Sequence, residues 1–478
     1  MNLPPDLDKI VKTLHAKGYR PLIAGGAVRD YLLSSMVTPH TDQLWGRAMP
    51  CQDSWPPKDF DIEVYNASFD DLARVLSQFG RIDLVGQSFG VVKLGPYDFS
   101  LPRRDSKIGF AHRDFLTTFD PDITPREACA RRDFTINSLA YDPITNELLD
   151  YFGGRADLDK KILRATSSAF REDPLRVLRG MQFACRFNLT LDPATAEECR
   201  AIAEQYSTLA QERIAEEFMK WATKSEHPGR LIEYLAACGW LIHFPELAAL
   251  RDVPQDPEWH PEGDVAIHTM LVVDAAAKIA VRDSLEGDAR AVLLFSALTH
   301  DFAKPATTAL RDRNGRQRWT AHGHEAAGGP FARAFLSRIG IKSSIVDQVV
   351  PLVENHLAHS SLRNDVTPRT VRRLALRLAP ANITQLIRLI EADHGGRPPL
   401  PQGLPDSALK IQQMASAQSV EMKPPRPLIQ GRHVLPYFNN VSGPHIGDVT
   451  KAAYESQLDG AFSTAEEAQS WLRTHMAR

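Results

Sequence analysis

The chain has 478 residues, of which 43% are hydrophobic and 24% charged, a composition typical of globular proteins with about two to four domains. The net charge of −3 neither favours nor excludes a nucleic-acid partner, because a basic face can coexist with a near-neutral total. No apolar run reaches membrane-spanning length, the first residues lack signal-peptide features, and the five cysteines have no metal-site or redox spacing. We therefore expect a cytoplasmic protein that binds no membrane.

The first third of the chain alternates predicted helices and strands. Residues 6–18 predict a helix, and "RPLIAGGAVRDYLL" predicts a short buried strand, a double glycine and a helix. Further along, "FDDLARVLSQFG" predicts a helix and "RIDLVGQSFGVVKLGPYDFSL" predicts two strands. Residues 34–57 are rich in proline and turn formers, and we expect a structurally inert inserted loop there, in preference to a cover for a cleft or an RNA contact.

Between these elements lies "PKDFDIEVY", residues 57–65, in which carboxylates alternate with apolar side chains. Successive side chains of a strand point to opposite faces, so the apolar residues would face a core and the acidic ones would share the other face. The acidic residues are Asp59, Asp61 and Glu63. An edge strand with a solvated face explains the pattern, and so does a divalent cation held by Asp59 and Asp61. The neighbouring motifs have to decide between the two.

The remainder of the chain is predicted to be mostly helical. From about residue 155 onward, apolar residues recur at helical spacing in "PLRVLRGMQFACRF", "RIAEEFMKWA" and "GRLIEYLAACGWLIHF". The proline-rich "RDVPQDPEWHPEGD" predicts a domain boundary near residue 260, and a histidine-rich helical block follows to about 396. "GGRPPLPQGLPD" then predicts a linker before a terminal module at 429–478.

Three motifs predict a phosphate site beside the acidic strand. "GGAVRD" places two glycines before a helix, whose N-terminal N–H groups can bind phosphate. "RRDFTINSLAYD" and "REDPLRVLR" add arginines, which bind phosphate or base edges through paired N–H groups. Each motif alone also fits a turn, a surface ion-pair patch, or a salt bridge between Asp173 and Arg176 on one helix face. A double glycine followed by an Asp-x-Asp strand is more specific and favours the metal interpretation.

In order, "GGAVRD", "KDFDIE", "RRDFTINSLAYD", "LDYFGGRADL", "REDPLRVLR" and "RIAEEFMKWA" resemble the motifs of the bacterial CCA-adding tRNA nucleotidyltransferase and poly(A) polymerase family (class II), over roughly residues 20–225. The resemblance implies that Asp59 and Asp61 are catalytic and bind Mg²⁺. The nucleotide-binding residues predicted on this basis are Gly25, Gly26, Arg29, Arg132, Asp133, Asn137, Asp173, Arg176 and Arg179. Asp173 and Arg176 would select the base of CTP or ATP, with Glu172 as a brace.

The reaction that this resemblance implies is template-independent addition of CMP and AMP to tRNA 3′ ends by two-metal phosphoryl transfer. The implied partners are tRNA, CTP and ATP, and the chain would act as a monomer or homodimer. Asp98, at the end of a later strand, is a candidate third carboxylate, whereas Glu63 lies too far along its strand.

A second constellation lies in the histidine-rich block, where a His-Asp doublet stands between apolar stretches with further histidines on both sides. Its spacing resembles the HD phosphohydrolase domain, although Phe302-Ala303 replaces a small pair with glycine, for which we expect local repacking. The resemblance implies a primary metal site of His268, His300, Asp301 and Asp393, and a second metal bound by His324 and His356. Ni²⁺, Co²⁺, Mn²⁺ or Mg²⁺ would occupy them, and Lys304 would bind phosphate.

Two functions of different classes compete for this sequence. The first is the nucleotidyltransferase, with a phosphatase or 2′,3′-cyclic phosphodiesterase activity in the HD domain. The second is an HD phosphohydrolase whose head only binds nucleotide or RNA; the presence of both Asp59 and Asp61 favours the first. A segment that matches the family's flexible loop, residues 103–129, argues against CC-only addition. CCA addition, A-only addition and poly(A) synthesis stay open.

The predicted fold class is α+β. A nucleotidyltransferase head with a small mixed β-sheet of about five strands (residues 1–155) precedes a helical neck (156–260) that binds RNA and nucleotide. A helical HD domain (261–400) and a linker with a C-terminal tail module (401–478) complete the chain, and the tail resembles one that contacts tRNA in this family.

Overall fold

The computed structural model describes residues 1–36, 60–84, 90–107, 115–119, 123–362 and 365–477. Most of the predicted insertion at 34–57, and Asp59 with it, therefore lies outside the described residues. The chain divides into two compact units, of which unit 1 comprises Met1–Glu217 with Glu233–His243 and unit 2 comprises Phe218–Ile232 with Phe244–Arg478. None of the described helices is long and apolar enough to cross a membrane.

Unit 1 combines a mixed sheet with helices. Its helices are α1 (Pro5–Ala16), α2 (Gly26–Met36), α3 (Phe69–Leu76), α4 (Pro125–Ala130), α5 (Gly154–Asp159), α6 (Leu175–Phe187) and α7 (Pro193–Ala201), while α8 (Gln211–Lys224) and α9 (Arg230–Ala237) are divided between the units. Its strands are β1 (Arg20–Ala24), β2 (Phe60–Tyr65), β3 (Val91–Leu94), β4 (Tyr97–Ser100), β5 (Arg103–Lys107), β6 (Phe115–Phe119), β7 (Ala140–Asp142), β8 (Glu147–Leu149), β9 (Ile162–Leu163) and β10 (Thr190–Leu191).

Six strands form the main sheet in the order β3-β4-β2-β1-β7-β8, and β2–β4 is its parallel pair among antiparallel ones. This confirms the predicted α+β head with a small mixed sheet, which has one strand more than the five expected. The strand β8 has three residues, too few for an alternating pattern to be recognised in the sequence. The loop-like segment 103–129 contributes a separate antiparallel pair, β5–β6.

The predicted pattern of the acidic strand is confirmed in β2. The side chains of Phe60, Ile62 and Val64 are buried, Asp61 is exposed and Glu63 is half-buried. Burial of the apolar side chains fixes the register, because a slip of one residue would turn the carboxylates into the core. The acidic face of the strand is thereby presented on the opposite side of the sheet from this core.

Unit 2 is mainly helical. It contains α10 (Pro245–Ala248), α11 (Val265–Arg282), α12 (Gly287–Thr299), α13 (Lys304–Thr307), β11 (Ala309–Arg313), β12 (Arg316–Thr320), α14 (His324–Arg338), α15 (Ser343–Glu354), α16 (Ala358–Ser361), α17 (Pro368–Leu378), α18 (Ile383–Gly395), α19 (Asp406–Ala417), α20 (Gly431–Val434), α21 (Pro444–Asp459) and α22 (Ala465–Met476). The helical prediction for 264–396 is correct apart from one antiparallel hairpin, β11–β12, which it missed.

The helices of unit 2 pack around two apolar centres. In the histidine-rich part, α11 packs against α12 and α18, and α15 packs against α12 and α14. The terminal module has a small core of its own, formed by Ile429, Val434, Ala453, Phe462, Ala468 and Leu472. The histidines of interest lie on the first of these packed groups, whose helices hold them in fixed positions.

Candidate active sites of the two units

The sheet register of unit 1 brings the acidic strand to the glycine motif. Asp61 of β2 lies opposite Ala24, the last residue of β1, and Gly25 follows directly. On its other side Asp61 is in register with Asp98 of the parallel strand β4, so the two carboxylates share one face. The side chain of Asp98 also meets Lys93, with Nζ and Oδ2 3.0 Å apart. A carboxylate pair of this kind supplies the oxygen ligands that Mg²⁺ prefers.

Glu63, the third acidic residue of the strand, holds an arginine of the "RRDFTIN" motif. Its Oε1 atom is 2.5 Å from Nη2 of Arg132, and its Oε2 accepts a hydrogen bond of 2.8 Å from the hydroxyl of Tyr65. Burial, together with the negative charge of Glu63, raises the pKa of Tyr65, so its phenol stays protonated and donates. The prediction that Glu63 is not a metal ligand fits this arrangement, in which it orients Arg132.

Gly25 allows Arg132 to approach the end of β1. The glycine has φ +66°, a left-handed conformation that side chains disfavour, and a Cβ atom placed on it would lie 2.7 Å from Nη1 of Arg132. The same guanidinium donates to the backbone carbonyl of Asn137 at 3.0 Å. Gly26, in contrast, begins α2, and a Cβ there would meet only Nη2 of Arg29 at 3.6 Å. The two glycines therefore have different roles.

Replacing Gly25 by Ala should lower the free energy of unfolding by about 1–2 kcal/mol, because the left-handed backbone is strained for any side chain. The new methyl group would also push the Arg132 guanidinium away from Asn137. Gly26→Ala is the matched control, and we expect it to be nearly neutral. Urea unfolding of both variants measures the difference; equal midpoints would show that close approach at Gly25 is unimportant.

Asp133 is the centre of a buried hydrogen-bond network. Its Oδ1 accepts from the Phe134 N–H at 2.8 Å and from Nδ2 of Asn137 at 3.0 Å, and its Oδ2 accepts from Nε of Arg179 at 2.8 Å. Burial by itself raises the pKa of the Asp133 carboxyl, but Arg179 and these hydrogen bonds hold it below its usual value. The carboxylate thus stays ionised and fixes both Asn137 and Arg179.

Arg29 supports Asn137 from the opposite direction. The guanidinium is buried at 4% exposure, where Nη1 is 2.5 Å from Oδ1 of Asn137 and Nε donates to Asp30 at 2.7 Å. The rings of Phe183 and Phe187 lie 5.3 and 4.6 Å from its central carbon. This arginine was predicted to bind nucleotide; the structure places it beneath the surface, where it positions Asn137.

The "REDPLRVLR" residues come together differently from the sequence expectation. Helix α6 begins at Leu175, so Asp173 precedes it and does not share a helix face with Arg176. Asp173 instead pairs with Arg213 of α8, with Oδ2 and Nη2 2.9 Å apart. Arg176 donates to two backbone carbonyls, those of Ala169 at 2.6 Å and Arg131 at 2.7 Å. Arg213 was missed because its partner is 40 residues away in the chain.

The histidines of unit 2 converge on two buried ligand groups. The first comprises His268, His300 and Asp393, and the second comprises Asp301, His324 and His356. Within the first, Nε2 of His268 is 3.4 Å from Nε2 of His300 and 3.2 Å from Oδ1 of Asp393. Within the second, the Nε2 atoms of His324 and His356 are 3.2 Å apart. All six residues predicted as metal ligands of the HD domain are therefore brought together.

In three of the histidine rings the Nδ1 atom is hydrogen-bonded to the backbone, which leaves the Nε2 atom to bind a metal ion. The Nδ1 atoms of His300, His324 and His356 lie 2.8, 2.6 and 2.7 Å from backbone carbonyl oxygens three residues earlier in the chain. Burial, together with the neighbouring His324 and His300, lowers the pKa of His356 to about 3, so its ring is neutral. A neutral ring that donates from Nδ1, such as that of His356, presents its Nε2 lone pair to the group, as metal-binding histidines do.

Distances within the groups fit a divalent metal. Two nitrogen ligands of a tetrahedral ion at about 2.0–2.1 Å are separated by about 3.3 Å, close to the ring–ring distances observed. Both carboxylate oxygens of Asp301 are buried without a hydrogen bond of normal geometry. Oδ2 nevertheless lies 3.1 Å from Nε2 of His300, and Oδ1 lies 3.2 Å from Nε2 of His324. Asp301 is thus placed between the two groups, with one oxygen turned to each.

Residues before α11 also contribute to this site, which the sequence analysis did not recognise. Oε1 of Glu262 lies 2.7 Å from Nδ1 of His268 and 2.9 Å from Nδ1 of His260. The signal was the polar cluster in "WHPEGD", which was interpreted as a domain boundary. Lys304, predicted to bind phosphate, has its Nζ 2.8 Å from Oδ2 of Asp301 and donates to Gln255 at 2.7 Å.

Comparison with known families covers most of the chain. Residues 22–164 match the family described as "Poly A polymerase head domain", and residues 188–250 match "Probable RNA and SrmB- binding site of polymerase A". Residues 265–392 match the HD domain.

Replacement of the usual glycine-containing pair by Phe302-Ala303 is accommodated by packing, since Phe302 is buried with its ring 5.3 Å from that of Phe335.

Solved structures with the same fold include the Bacillus stearothermophilus CCA-adding enzyme in complex with CTP, with a TM-score of 0.60 at 18% identity, covering 99% of this chain and 98% of that one. The Thermotoga maritima CCA-adding enzyme complexed with tRNA also matches, with a TM-score of 0.55 at 16% identity, covering 99% and 96%. At these identities the likeness establishes the fold.

Curated sequences are more similar. The multifunctional CCA protein of Nitrosococcus oceani is 33% identical over 387 residues, which cover 78% of this chain and 84% of that protein. The multifunctional CCA protein of Xanthomonas oryzae pv. oryzae is 31% identical over 456 residues, which cover 93% of this chain and 99% of that protein. With identity above 30% over at least 78% of this chain and 84% of each relative, this protein belongs to the family of multifunctional CCA proteins.

Proposed function

We propose that unit 1 is a template-independent nucleotidyltransferase that adds CMP and AMP to tRNA 3′ ends to complete the CCA sequence. The observation that carries the proposal is the register of β1 and β2, which sets Asp61 opposite Ala24. The carboxylate strand thereby lies beside the Gly25 turn and Arg132, whose guanidinium touches that turn. Binding of a nucleoside triphosphate requires a metal ligand, a close approach of the backbone and a cation that binds phosphate.

Some side chains of the head bind the nucleotide, and others hold these binding side chains in position. Arg132, oriented by Glu63, binds the triphosphate or ribose through its fixed guanidinium. Asn137, held between Asp133 and Arg29, presents its remaining amide hydrogen. Arg29, whose side chain is buried as that of Asn137 is, holds Asn137 through Nη1. The network holds these donors in place before the nucleotide arrives, which lowers the entropic cost of binding.

Asp61 would hold Mg²⁺ together with Asp59, which lies outside the described residues, and Asp98 is the third candidate carboxylate. Mg²⁺ held there would supply positive charge that favours attack by the RNA 3′-hydroxyl on the α-phosphate, with pyrophosphate as the leaving group. Lys93, paired with Asp98, reduces the repulsion between the neighbouring carboxylates.

Base selection is assigned to the segment around Asp173 and Arg176. In the structure Arg213 satisfies Asp173, and two carbonyls satisfy Arg176. We propose that an incoming cytosine or adenine replaces these partners and forms hydrogen bonds with Asp173 and Arg176 itself. A wrong base would leave these half-buried polar groups unpaired, and that penalty supplies selectivity.

Replacing Arg176 by Ala should relax discrimination of CTP and ATP against UTP and GTP by about tenfold or more, as expected for the loss of a half-buried polar partner. Selectivity is measured as the ratio of kcat/KM values for the four nucleotides. Arg74→Ala is the matched control, because Arg74 is exposed on α3, pairs with Asp71 and lies outside the "REDPLRVLR" motif. If overall rate falls in Arg176→Ala while the ratios stay constant, the selecting role is wrong.

For unit 2 we propose a metal-dependent phosphohydrolase that acts on 2′,3′-cyclic phosphates or 2′-phosphates of ribonucleotides. His268, His300 and Asp393 would hold one ion, His324 and His356 a second, and Asp301 would contribute an oxygen to each. Ni²⁺, Co²⁺ or Mn²⁺ suits imidazole ligands, although Mg²⁺ is a further candidate; a bound ion would activate water and polarise the phosphoryl oxygen. Glu262 keeps the Nδ1 proton on His268, and Lys304 neutralises Asp301 until phosphate competes for its ammonium group.

We propose the same four segments for these activities as the sequence predicts. The head at 1–155 would carry transfer, the neck at 156–260 would bind RNA and nucleotide, 261–400 would carry hydrolysis, and 401–478 would form the tail module. Glu262 and His260 stand on either side of the 260 boundary and contact each other, so we assign both to the hydrolase.

A further inference from the structure

A strongly basic hairpin, β11–β12, interrupts the helices of unit 2 and has no role in the sites described so far. Its sequence is "ALRDRNGRQRWT", with four arginines and one aspartate in twelve residues. The turn Asn314-Gly315 has positive φ at both positions, the geometry of a two-residue hairpin turn. That turn fixes the register of the two strands.

The register places all four arginines on one face. Arg311 lies opposite Arg318, and Arg313 lies opposite Arg316. Directly opposed side chains of an antiparallel pair share a face, so two like-charge pairs stand side by side, which destabilises an isolated ribbon. The other face carries Leu310 opposite Trp319, an apolar pair that holds the strands together. We call the four-arginine surface the arginine face.

Of the four arginines, Arg318 has acidic partners, and the other three have none in the described part of unit 2. Arg318 pairs with Glu258 and has Nη1 3.6 Å from Asp256, and Arg313 contacts the ring of His322. In the ranges that the structure describes, the side chains of Arg311 and Arg316 are exposed and make no hydrogen bond or ion pair. The protein therefore maintains a row of cations at an electrostatic cost, which a polyanion would relieve.

The hairpin is attached directly to the ligand groups of the hydrolase. Its first strand follows α13, which begins at Lys304, and its second ends at Thr320, four residues before His324. The carbonyl of Ala321 accepts the hydrogen bond that orients the His324 ring. Arg318 is anchored to Glu258 in the loop that also supplies Glu262. The arginine face is thus connected, through Thr320 and through Arg318, to segments that carry His324 and Glu262.

We propose that the arginine face binds the phosphodiester backbone of an RNA strand whose 3′-terminal phosphate is hydrolysed in unit 2. This inference deepens the proposed hydrolase and rests on it for the choice of terminal phosphate. An extended row of four guanidinium groups matches a polyanionic strand better than a single nucleotide, and arginine forms paired hydrogen bonds with phosphate oxygens. Binding to the backbone carries no preference for base sequence.

The test compares a mononucleoside 2′,3′-cyclic phosphate with an oligoribonucleotide that ends in the same group. The wild-type protein should show a KM about tenfold or more lower for the oligonucleotide at low salt, with similar kcat. In the double variant Arg311→Gln, Arg316→Gln this advantage should vanish, while KM for the mononucleotide and kcat for both substrates stay unchanged. The slope of log KM against log salt concentration should fall by about 1.4, or about 0.7 for each phosphate that the variant no longer neutralises.

The matched control is Lys278→Gln, Arg333→Gln, which removes the same charge from exposed helical positions of unit 2 and should retain the advantage. Equal KM values for both substrates in the wild type would contradict RNA binding by the arginine face, whereas the proposed hydrolase activity would still stand. Inhibition by polyglutamate as strong as that by the oligonucleotide would overturn the assignment to RNA.

If neither substrate is hydrolysed with Ni²⁺, Co²⁺, Mn²⁺ or Mg²⁺, the hydrolase proposal fails and binding decides the inference. A photo-crosslinkable oligoribonucleotide is then bound to the full chain and the crosslinked peptides are mapped. Crosslinks within 309–320 that disappear in the double variant would support the arginine face, and their absence in the wild type would overturn it.

Discussion

Replacing Asp61 by Ala should abolish incorporation of CMP and AMP into tRNA while the protein stays folded. The side chain is exposed on β2, so its removal leaves no cavity in the core. The change takes away one of the carboxylates proposed to hold Mg²⁺, whose stabilisation of transition-state charge contributes several kcal/mol. Since each 1.4 kcal/mol corresponds to about tenfold in rate, we expect a decrease of at least about a hundredfold.

The control for Asp61→Ala is Glu147→Ala, an exposed carboxylate on β8 of the same sheet. It changes the net charge equally and should leave incorporation within about twofold of wild type, as surface substitutions do. Near-normal activity of Asp61→Ala would contradict the proposal that Asp61 of β2 binds Mg²⁺. Asp98→Ala should have an intermediate effect if Asp98 is the third carboxylate, and none if its role is to pair with Lys93.

Replacing His300 by Ala should remove hydrolysis of 2′,3′-cyclic phosphates and 2′-phosphates but retain nucleotide addition. Nε2 of His300 lies near both His268 and Asp301, so the change opens the first ligand group and disturbs the second. Addition should persist within about twofold, because its proposed ligands are carboxylates of a different unit and need no imidazole. The measurement is a parallel assay of both activities with Mg²⁺ and with Ni²⁺, Co²⁺ or Mn²⁺.

Two further measurements accompany His300→Ala. His322→Ala changes a histidine beside the hairpin that belongs to neither ligand group, and it should leave both activities intact. Calorimetric titration of the purified proteins with Ni²⁺ should show binding to wild type and weakened binding to His300→Ala. Loss of nucleotide addition in a well-folded His300→Ala protein would contradict the separation of the two sites.

Local patterns were sufficient for most elements of the fold. Helix α1 was predictable because Leu7, Ile10, Val11 and Leu14 recur at helical spacing and are all buried. Strand β2 was predictable because its alternation is strict. The hairpin β11–β12 was missed although Asn314-Gly315 is a strong turn signal. Its arginines occupy one face and Asp312 and Gln317 lie on the other, so no alternation of apolar residues is visible.

The candidate sites were predictable as sets of residues but not as sets of contacts. The six histidines and aspartates of unit 2 could be chosen because the spacing of their motifs along the chain resembles that of the HD phosphohydrolase domain. The contacts of Glu63 with Arg132 and of Asp173 with Arg213 could not, since these pairs are 69 and 40 residues apart. Glu262 was overlooked for a related reason, because it lies in an irregular loop where sequence spacing does not determine side-chain direction.

The most direct test of the nucleotidyltransferase is the product formed on tRNA that lacks its 3′-terminal CCA. The purified protein is incubated with this tRNA and Mg²⁺, with CTP alone, with ATP alone and with both, and the products are sequenced. We expect two added C residues with CTP alone, no extension with ATP alone, and a single CCA end with both nucleotides. A long A tail with ATP alone, or addition of A only to tRNA that already ends in CC, would contradict CCA addition by unit 1.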